Sequence, residues 1–491
     1  MTPAASLVAG LDFGGSSLKA WVADIGTGAV RAAVTEPTAT DRPRPYAAEF
    51  SAPEWWAAAG RAMRAAVERS RAQPGDFAAV TAASLRQGFV LVDGERELAP
   101  GVLNSDRRGR DHLDRLRTEV GVEPLYALTG HWPAPELTLP KLLDVAAGTP
   151  ELWQAATTML FVHDWALWRM SGVASTEVSY ACAGQMADVG RRAWAEDLLD
   201  GLGLGTTLLA PLVEPTTVVG RLQDRSLGLP TGLPVVAGGG DAQVASLGAG
   251  GMAPGTVTVV AGSTTPLQAA VRGFPVDPQR HPWVSTHLCP DLWAAETNAG
   301  YTGMNFDWLA TTTGHPVADL AALADTSVPG ARGITATIAT PVWSEEVWAR
   351  KPPSTIVGFT MSHTLADVAR AFVEAHAYGV RANLEDLERA VGAPFDQVLV
   401  TGGAARSERF RQLLADVCNR RLTVPDVSDS AAAGGAALVA RALGADHHPV
   451  NPPPVEILPR PDAAYEQGHR RYVAIYASLL DHLPPEAYGA G

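Results

Sequence analysis

The chain has 491 residues, which is too long for one ordinary hydrophobic core and predicts two large domains. Hydrophobic residues make up 46% and charged residues 18% of the sequence, a balance typical of folded proteins. The formal net charge of −14, without clusters of Lys and Arg, argues against a nucleic-acid partner and favours a small-molecule substrate.

Cysteine spacing and hydropathy indicate the compartment. Cys182, Cys289 and Cys418 lie far apart and belong to no CxxC pair, so the sequence predicts neither a zinc site nor a disulfide framework. No basic segment precedes the apolar stretch near Met1, and no apolar run reaches the roughly 18 residues of a membrane helix. We therefore expect a cytoplasmic protein without a membrane segment.

The opening segment predicts three strands, at 6–12, 18–24 and 29–34, joined by turns that contain Gly and Ser. A helix is predicted over 53–71, where Trp56, Ala59 and Met63 recur at helical spacing. Strands are predicted at 77–85 and 89–93. Residues 107–240 are expected to be mainly helical, with a short apolar strand at 233–236.

A second strand–turn–strand unit begins at Thr256 and resembles the opening one. It suggests two similar halves around a cleft, with a boundary and hinge near 245–255. A helix at 365–391, a strand at 397–401 and a helix at 407–419 continue the α/β alternation. We predict domains at 1–247 and 248–450, and a mostly helical tail at 451–491 that follows the Pro-rich stretch 449–454.

The first motif that could take part in binding or catalysis is the turn at 12–19. Asp12 ends a predicted strand, and the following Gly-Gly-Ser-Ser turn can present N–H groups and hydroxyls to phosphate oxygens. A carboxylate at this place can hold Mg²⁺ through its water shell. The alternative is an ordinary hairpin turn that uses the same residue types for their geometry alone.

The second motif is the glycine run 238–240 followed by Asp241. Glycines at a strand end allow a ligand to approach, and Asp241 at the start of a helix could accept the proton of a substrate hydroxyl. The alternative is a glycine-rich helix start with Asp241 as its N-cap.

Two further loops complete the pattern. The segment 262–265 forms the turn of the second hairpin, and the segment 402–407 follows an apolar strand and opens a helix, a context in which nucleotides bind. Neither loop matches GxxxxGK[ST], so a P-loop protein is excluded.

Taken in order, these four motifs resemble the FGGY family of carbohydrate kinases over nearly the whole chain. One family signature is recognisable between Ser354 and Glu374, and a weaker one surrounds Thr138–Leu142, where Asp144 stands in place of a usual Trp. The resemblance implies an α/β fold of two actin-like (ribonuclease H-like) domains around a central cleft. It also implies ATP and Mg²⁺ as cofactors.

The resemblance assigns the catalytic base to Asp241 and a metal-associated carboxylate to Asp12, with both residues near the metal. The residues implied for ATP are Gly14, Gly15, Ser16, Ser17, Lys19, Gly262, Ser263, Thr264, Gly402, Gly403 and Ser407. Those implied for the substrate are Arg86, Gln87, Asn104, Asp106 and Gln243. Without the family resemblance, Arg86 could equally form a surface salt bridge, and Asn104 could be a turn residue.

The implied reaction is phosphorylation of a hydroxyl, by family analogy the terminal primary one, of a small sugar, ketose or polyol. The strings 85–88, 104–108 and 238–243 resemble the autoinducer-2 kinase branch more than the pentulose kinases, whereas the turn 262–266 does not. Three alternatives stay open: a linear dihydroxy-ketone kinase, a non-catalytic sugar sensor, and an actin-like or chaperone-type ATPase. The expected partner is a small molecule, neither nucleic acid nor membrane, and a homodimer is left open.

Overall fold

The structure, a computed structural model, describes residues 5–251, 253–350, 352–427, 429–448 and 453–482. In the N-terminal half the strands are β1 (Leu7–Phe13), β2 (Ser17–Asp24), β3 (Val30–Pro37), β4 (Glu49–Phe50), β5 (Phe77–Ser84), β6 (Phe89–Val92), β7 (Gly101–Val102), β8 (Thr158–Phe161), β9 (Thr176–Glu177), β10 (Ala187–Asp188), β11 (Ala193–Trp194), β12 (Leu212–Val213), β13 (Val218–Arg221) and β14 (Pro234–Gly240). The helices of this half are α1 (Ala52–Ser70), α2 (Leu113–Arg115), α3 (Val122–Thr129), α4 (Thr138–Gly148), α5 (Pro150–Ala155), α6 (Val162–Ser171), α7 (Val178–Ala183), α8 (Glu196–Gly201) and α9 (Asp241–Gly248).

In the C-terminal half the strands are β15 (Thr256–Val260), β16 (Pro266–Arg272), β17 (Trp283–Thr286), β18 (Leu292–Asn298), β19 (Thr335–Ala336), β20 (Ile356–Val357), β21 (Gln397–Thr401), β22 (Leu422–Val424) and β23 (Val455–Ile457). The helices are α10 (Thr302–Thr313), α11 (Val317–Ala324), α12 (Glu345–Arg350), α13 (Leu365–Val391), α14 (Glu408–Cys418), α15 (Ser430–Leu443) and α16 (Ala463–His482). Within the described ranges, no helix has the length and apolar character needed to cross a membrane.

Each half is built on one large mixed sheet with the same plan. The first sheet has the order β13-β14-β5-β1-β2-β3, and the second has the order β17-β18-β16-β15-β21-β22-β23. In both, an antiparallel hairpin (β1–β2 or β15–β16) lies beside parallel strands (β5 and β14, or β21 and β22). The chain therefore folds as two actin-like α/β domains, as the sequence predicted.

Apolar side chains on these sheets form the two main cores. The N-terminal core packs α1 and α6 against the first sheet, with Trp55 and Trp165 buried beside Phe13. The C-terminal core packs α13 and α14 against the second sheet and includes the fully buried Tyr472 of α16. Burial of such apolar surface is the main favourable term in the stability of both halves.

Helices α9 and α15 cross where the two halves meet. A side chain at Gly434 would lie 2.0 Å from the carbonyl oxygen of Val244, and one at Gly248 would lie 1.9 Å from that of Ser430. Glycine at both positions therefore permits direct backbone packing of the two helices. Other residues of α15, including Ala432 and Val439, pack against the N-terminal sheet.

Two regions differ from the sequence-based expectation. Helices are the main regular structure of residues 107–240, as expected, but this region also contains β8 to β13, which the sequence did not predict. Several of these strands have only two residues, too few for a periodic signal. The segment expected as a separate tail also packs into the C-terminal half: β23 pairs with β22, and Tyr472 enters the core. Pro449 to Pro452 lie outside the described residues, and the domain limit near residue 248 stays a prediction.

Candidate functional site

The candidate site lies where parallel strands of the N-terminal sheet end. β1, β5 and β14 are parallel neighbours, so their carboxyl ends meet at one edge of the sheet. Asp12 is the penultimate residue of β1, Arg86 follows β5, and Asp241 begins α9 directly after β14. Ligands of open α/β sheets bind at such edges.

The carboxylates at this edge influence one another. Burial raises the pKa of Asp12 to about 7, an effect that the positive charge of Lys19 opposes and that the negative charges of Asp241 and Asp429 reinforce. Lys19 Nζ lies 3.7 Å from Asp12 Oδ2 and 2.9 Å from Asp429 Oδ1. Lys19, expected to bind the nucleotide, is thus placed as the counter-ion of two carboxylates.

The cluster suits a magnesium ion that keeps most of its water. Asp12 Oδ1 is buried and has no hydrogen-bond partner among the described residues. Within the same part of the chain, no three His, Cys, Asp or Glu side chains are close enough to hold a metal ion directly. Mg²⁺ commonly binds through one or two carboxylates, retained water and substrate phosphates, and the residues present fit that mode.

Asp241 lies beside a charge pair that joins the two halves. Burial raises the pKa of Asp241, the positive charge of Arg86 opposes this shift, and Glu296 reinforces it. Arg86 Nη2 donates to Glu296 Oε2 at 2.6 Å, and Gln268 Nε2 donates to the same oxygen at 2.6 Å. Arg86 therefore lies between the two halves with its guanidinium on a carboxylate of the opposite half, and its contact with a substrate stays a prediction.

The first hairpin turn lies next to these groups and is partly exposed to solvent. Gly15 and Ser16 are exposed, Gly14 and Ser17 are half-buried, and the Gly14 N–H donates to the Ser17 carbonyl at 3.0 Å. A Cβ atom at Gly15 would lie 4.0 Å from Asn104 Oδ1. The turn is thus adjacent to one of the segments expected to bind the substrate.

A cavity of about 940 Å³ occupies the C-terminal half between α10, α11, α13 and α14. Its walls include four predicted nucleotide residues, namely Gly262, Ser263, Gly403 and Ser407. Thr264 closes the second turn, where its carbonyl accepts the Gly262 N–H at 3.1 Å, and Gly402 lies against Ala261 at the base of this hairpin. The structure therefore brings the second hairpin and the Gly402–Ser407 loop to one site.

A buried lysine connects the two predicted substrate segments. Lys141 Nζ donates to the carbonyl oxygens of Gln87 at 3.2 Å, Leu103 at 2.9 Å and Asn104 at 3.3 Å. Gln87 has φ of 63°, an uncommon conformation for a residue with a side chain. The segments around Gln87 and Asn104 thus lie side by side, as expected of one substrate site.

Two predicted substrate residues have other contacts. Asp106 is fully buried, and its carboxylate accepts hydrogen bonds from the Ala48 N–H at 2.6 Å and from the Arg108 guanidinium at 2.9 Å. Gln243 is 2% exposed and donates to the Thr286 carbonyl of the opposite half at 3.1 Å. Both side chains are enclosed by protein, and direct substrate contact of these two residues stays a prediction.

Sequence reasoning missed several groups at the site. Asp429 had a usable signal, since it caps the Ala- and Gly-rich helix α15 by accepting the Ala432 N–H at 3.1 Å. Glu296 and Gln268 belong to strands β18 and β16 and carry no motif. Glu296 and Gln268 come to lie beside Arg86 only because the two halves pack against each other.

The two-domain fold and the groups at its cleft are compatible with a kinase, and comparison with known families defines the class as a carbohydrate kinase. The model of the N-terminal domain of the FGGY family of carbohydrate kinases matches residues 7–248, and that of the C-terminal domain matches residues 255–443. The chain belongs to the FGGY family of carbohydrate kinases.

Individual relatives span the same length. The xylulose kinase of Escherichia coli is 29% identical, with 96% of this chain and 99% of the relative covered. An autoinducer-2 kinase of Salmonella paratyphi A is 27% identical, with 92% and 93% covered. The solved xylulose kinase from Rhodospirillum rubrum superposes with a TM-score of 0.85 at 26% identity, with 96% and 99% covered.

Proposed function

We propose that the protein transfers the γ-phosphoryl group of ATP to a hydroxyl, most simply a terminal primary one, of a small ketose or polyol. The observation that supports it most directly is the position of Asp241. This carboxylate lies at the carboxyl edge of the N-terminal sheet, within electrostatic range of Asp12 and Arg86. The base, the proposed metal carboxylate and a sugar-binding cation would thus share one edge of the cleft.

In this proposal, the nucleotide base and ribose occupy the cavity between α10 and α14. Gly403 and Ser407 would line the adenosine site, and the two hairpin turns would hold the phosphates through their N–H groups and hydroxyls. Asp12 would bind Mg²⁺ through water, and the ion would supply positive charge to the phosphates.

On the sugar side, Asp241 would accept the proton of the attacking hydroxyl. Arg86 offers donors in a fixed geometry that suits carbonyl and hydroxyl oxygens. The raised pKa of Asp241, caused by burial, brings this carboxyl closer to the range in which a general base works well.

The candidate substrate is a ketopentose, because a xylulose kinase is 29% identical over nearly the whole chain. A linear dihydroxy ketone is the second candidate, because an autoinducer-2 kinase is 27% identical and the strings 85–88 and 104–108 resemble that branch. A panel of ketoses, alditols and linear dihydroxy ketones would be assayed for sugar-dependent ADP release with ATP and Mg²⁺. Failure of every compound would favour the sensor alternative, and sugar-independent release would favour the ATPase.

The role of Asp241 has its own test. Asp241→Asn keeps the shape of the side chain and removes the base, so kcat should fall by about two to four decades while sugar binding is largely retained. Asp111→Asn, at an 84% exposed carboxylate, is the matched control and should leave kcat unchanged. An Asp241→Asn enzyme within threefold of the wild-type kcat would show that another group takes the proton.

A further inference from the structure

Strand β14 carries an irregularity immediately before Asp241. Val236 pairs with Thr81 of β5, whereas Gly239 pairs with Ala83, so two residues of β14 oppose one residue of β5. This is a β-bulge, a feature that bends a strand and redirects the residues that follow it. A side chain at Gly238 would lie 1.9 Å from the Ala82 carbonyl oxygen, so the bulge requires glycine there.

His163 satisfies the backbone group that the bulge leaves without a ladder partner. The Gly238 N–H donates to His163 Nε2 at 3.1 Å, and His163 Nδ1 lies 2.8 Å from Asp164 Oδ1. Because Nε2 accepts, the proton of the imidazole is on Nδ1 and donates to Asp164. All three residues are buried, so an unpaired N–H would be costly there.

Tyr180 joins the bulged strand to its neighbour. Its hydroxyl donates to the Gly239 carbonyl at 2.9 Å and accepts the Ser84 N–H at 3.1 Å. Its ring stacks on His163, with centroids 4.9 Å apart and planes inclined by 11°. One hydroxyl thus holds the ends of β14 and β5, which lead to Asp241 and to Arg86.

We infer that His163 and Tyr180 are positioning residues that set the location of the Asp241 carboxylate through the bulge of β14. The inference rests on the proposed function, because it takes Asp241 as the base. Neither residue needs to touch the substrate. The pair acts on the two backbone segments that lead to the base and to Arg86.

The test is Tyr180→Phe, which keeps the stacked ring and removes the hydroxyl. With the substrate found in the panel, kcat should fall about five- to fiftyfold, while KM for ATP and for the sugar stay within about twofold. The matched control is Tyr472→Phe, which removes an equally buried hydroxyl that donates to the Ala339 carbonyl at 2.6 Å in the C-terminal core. It should lower Tm without changing kcat.

A double-mutant cycle separates this inference from the proposed function. If Tyr180 acts through Asp241, Tyr180→Phe should change kcat less than twofold in the Asp241→Asn background. An additive effect, or a fall in kcat equal to that of Tyr472→Phe, would overturn the positioning role. A harmless Asp241→Asn change would instead reject the base assignment itself. Should Tyr180→Phe fail to fold, the same cycle with His163→Gln decides between these outcomes.

Discussion

At the scale of single residues, Lys141 shows how a buried charge can connect separate backbone segments. Its ammonium is fully buried and bonded to the backbone carbonyls of Gln87, Leu103 and Asn104. Burial lowers the pKa of Lys141 to about 7, against the attraction of Asp106 and Glu136. The lysine of the weaker family signature therefore holds together the two segments that are proposed to bind the substrate.

This pKa predicts a pH dependence of stability. Between about pH 7 and 10 the folded chain binds fewer protons at Lys141 than the unfolded chain, so the free energy of unfolding contributed by this group rises with pH. Below pH 7 both states are protonated, and the cost of the buried charge is fully present. In Lys141→Met the rise should be absent.

Chemical denaturation of wild type and Lys141→Met at several pH values between 6 and 9 would measure the difference. The wild type should gain stability relative to the variant as the pH increases. A difference that is constant with pH would show that Lys141 keeps its proton throughout this range.

At the scale of elements, helix α13 supports the turn of the second hairpin, which is proposed to bind phosphate. His376 Nε2 lies 2.9 Å from Thr265 Oγ1, and this hydroxyl lies 2.6 Å from Thr302 Oγ1 at the start of α10. Burial lowers the pKa of His376 to about 3, so the imidazole is neutral. Three elements around the cavity thus meet at one threonine hydroxyl.

Removing this hydroxyl should affect the nucleotide more than the sugar. Thr265→Val is expected to raise KM for ATP about two- to tenfold, the net effect of one lost hydrogen bond, and to leave KM for the sugar unchanged. The matched control is Thr337→Val, which removes a hydroxyl 2.8 Å from Thr355 Oγ1 in the same half. Equal changes in KM for ATP in both variants would argue against a specific role of Thr265.

At the scale of the whole molecule, contacts of unequal burial join the two halves. The side chains of Arg86 and Glu296 are each only 10% exposed, whereas the pair of Arg117 and Glu345, 2.9 Å apart, is 32% and 25% exposed. Exposed ion pairs contribute little, but removing one partner of a buried pair leaves an uncompensated charge. The ion pair between Arg86 and Glu296 is therefore expected to do two things. It should hold the two halves together, and it should orient the Arg86 guanidinium that is proposed to contact the sugar.

Glu296→Gln should consequently lower kcat/KM for the sugar about ten- to a hundredfold, with ATP binding largely preserved. Glu345→Gln, at the more exposed pair, should change it less than threefold. Steady-state kinetics with varied sugar, and titration calorimetry with ATP, would compare both variants with wild type. Similar small effects of the two substitutions would mean that Glu296 neither orients Arg86 nor holds the two halves together.

Much of the fold was predictable from local patterns. Helix α13 and strand β21 have the predicted bounds, 365–391 and 397–401. The reasons are local: Thr364 and Asp367 form a capping box at the start of α13, and Gly392 ends it with φ of 78°. The two hairpins were equally clear, because glycine-rich turns separate short apolar strands.

The sequence by itself therefore determined the two-half α/β plan and the two hairpin turns, since strands, caps and turns depend on neighbouring residues. Only the tertiary structure decided which side chains share the site. Glu296 meets Arg86 across 210 positions of sequence, and Asp429 meets Lys19 across 410. Asp106 looked like a ligand but is enclosed by Arg108 and Ala48, because a short string of polar residues does not reveal whether its carboxylate faces a cleft or the protein interior.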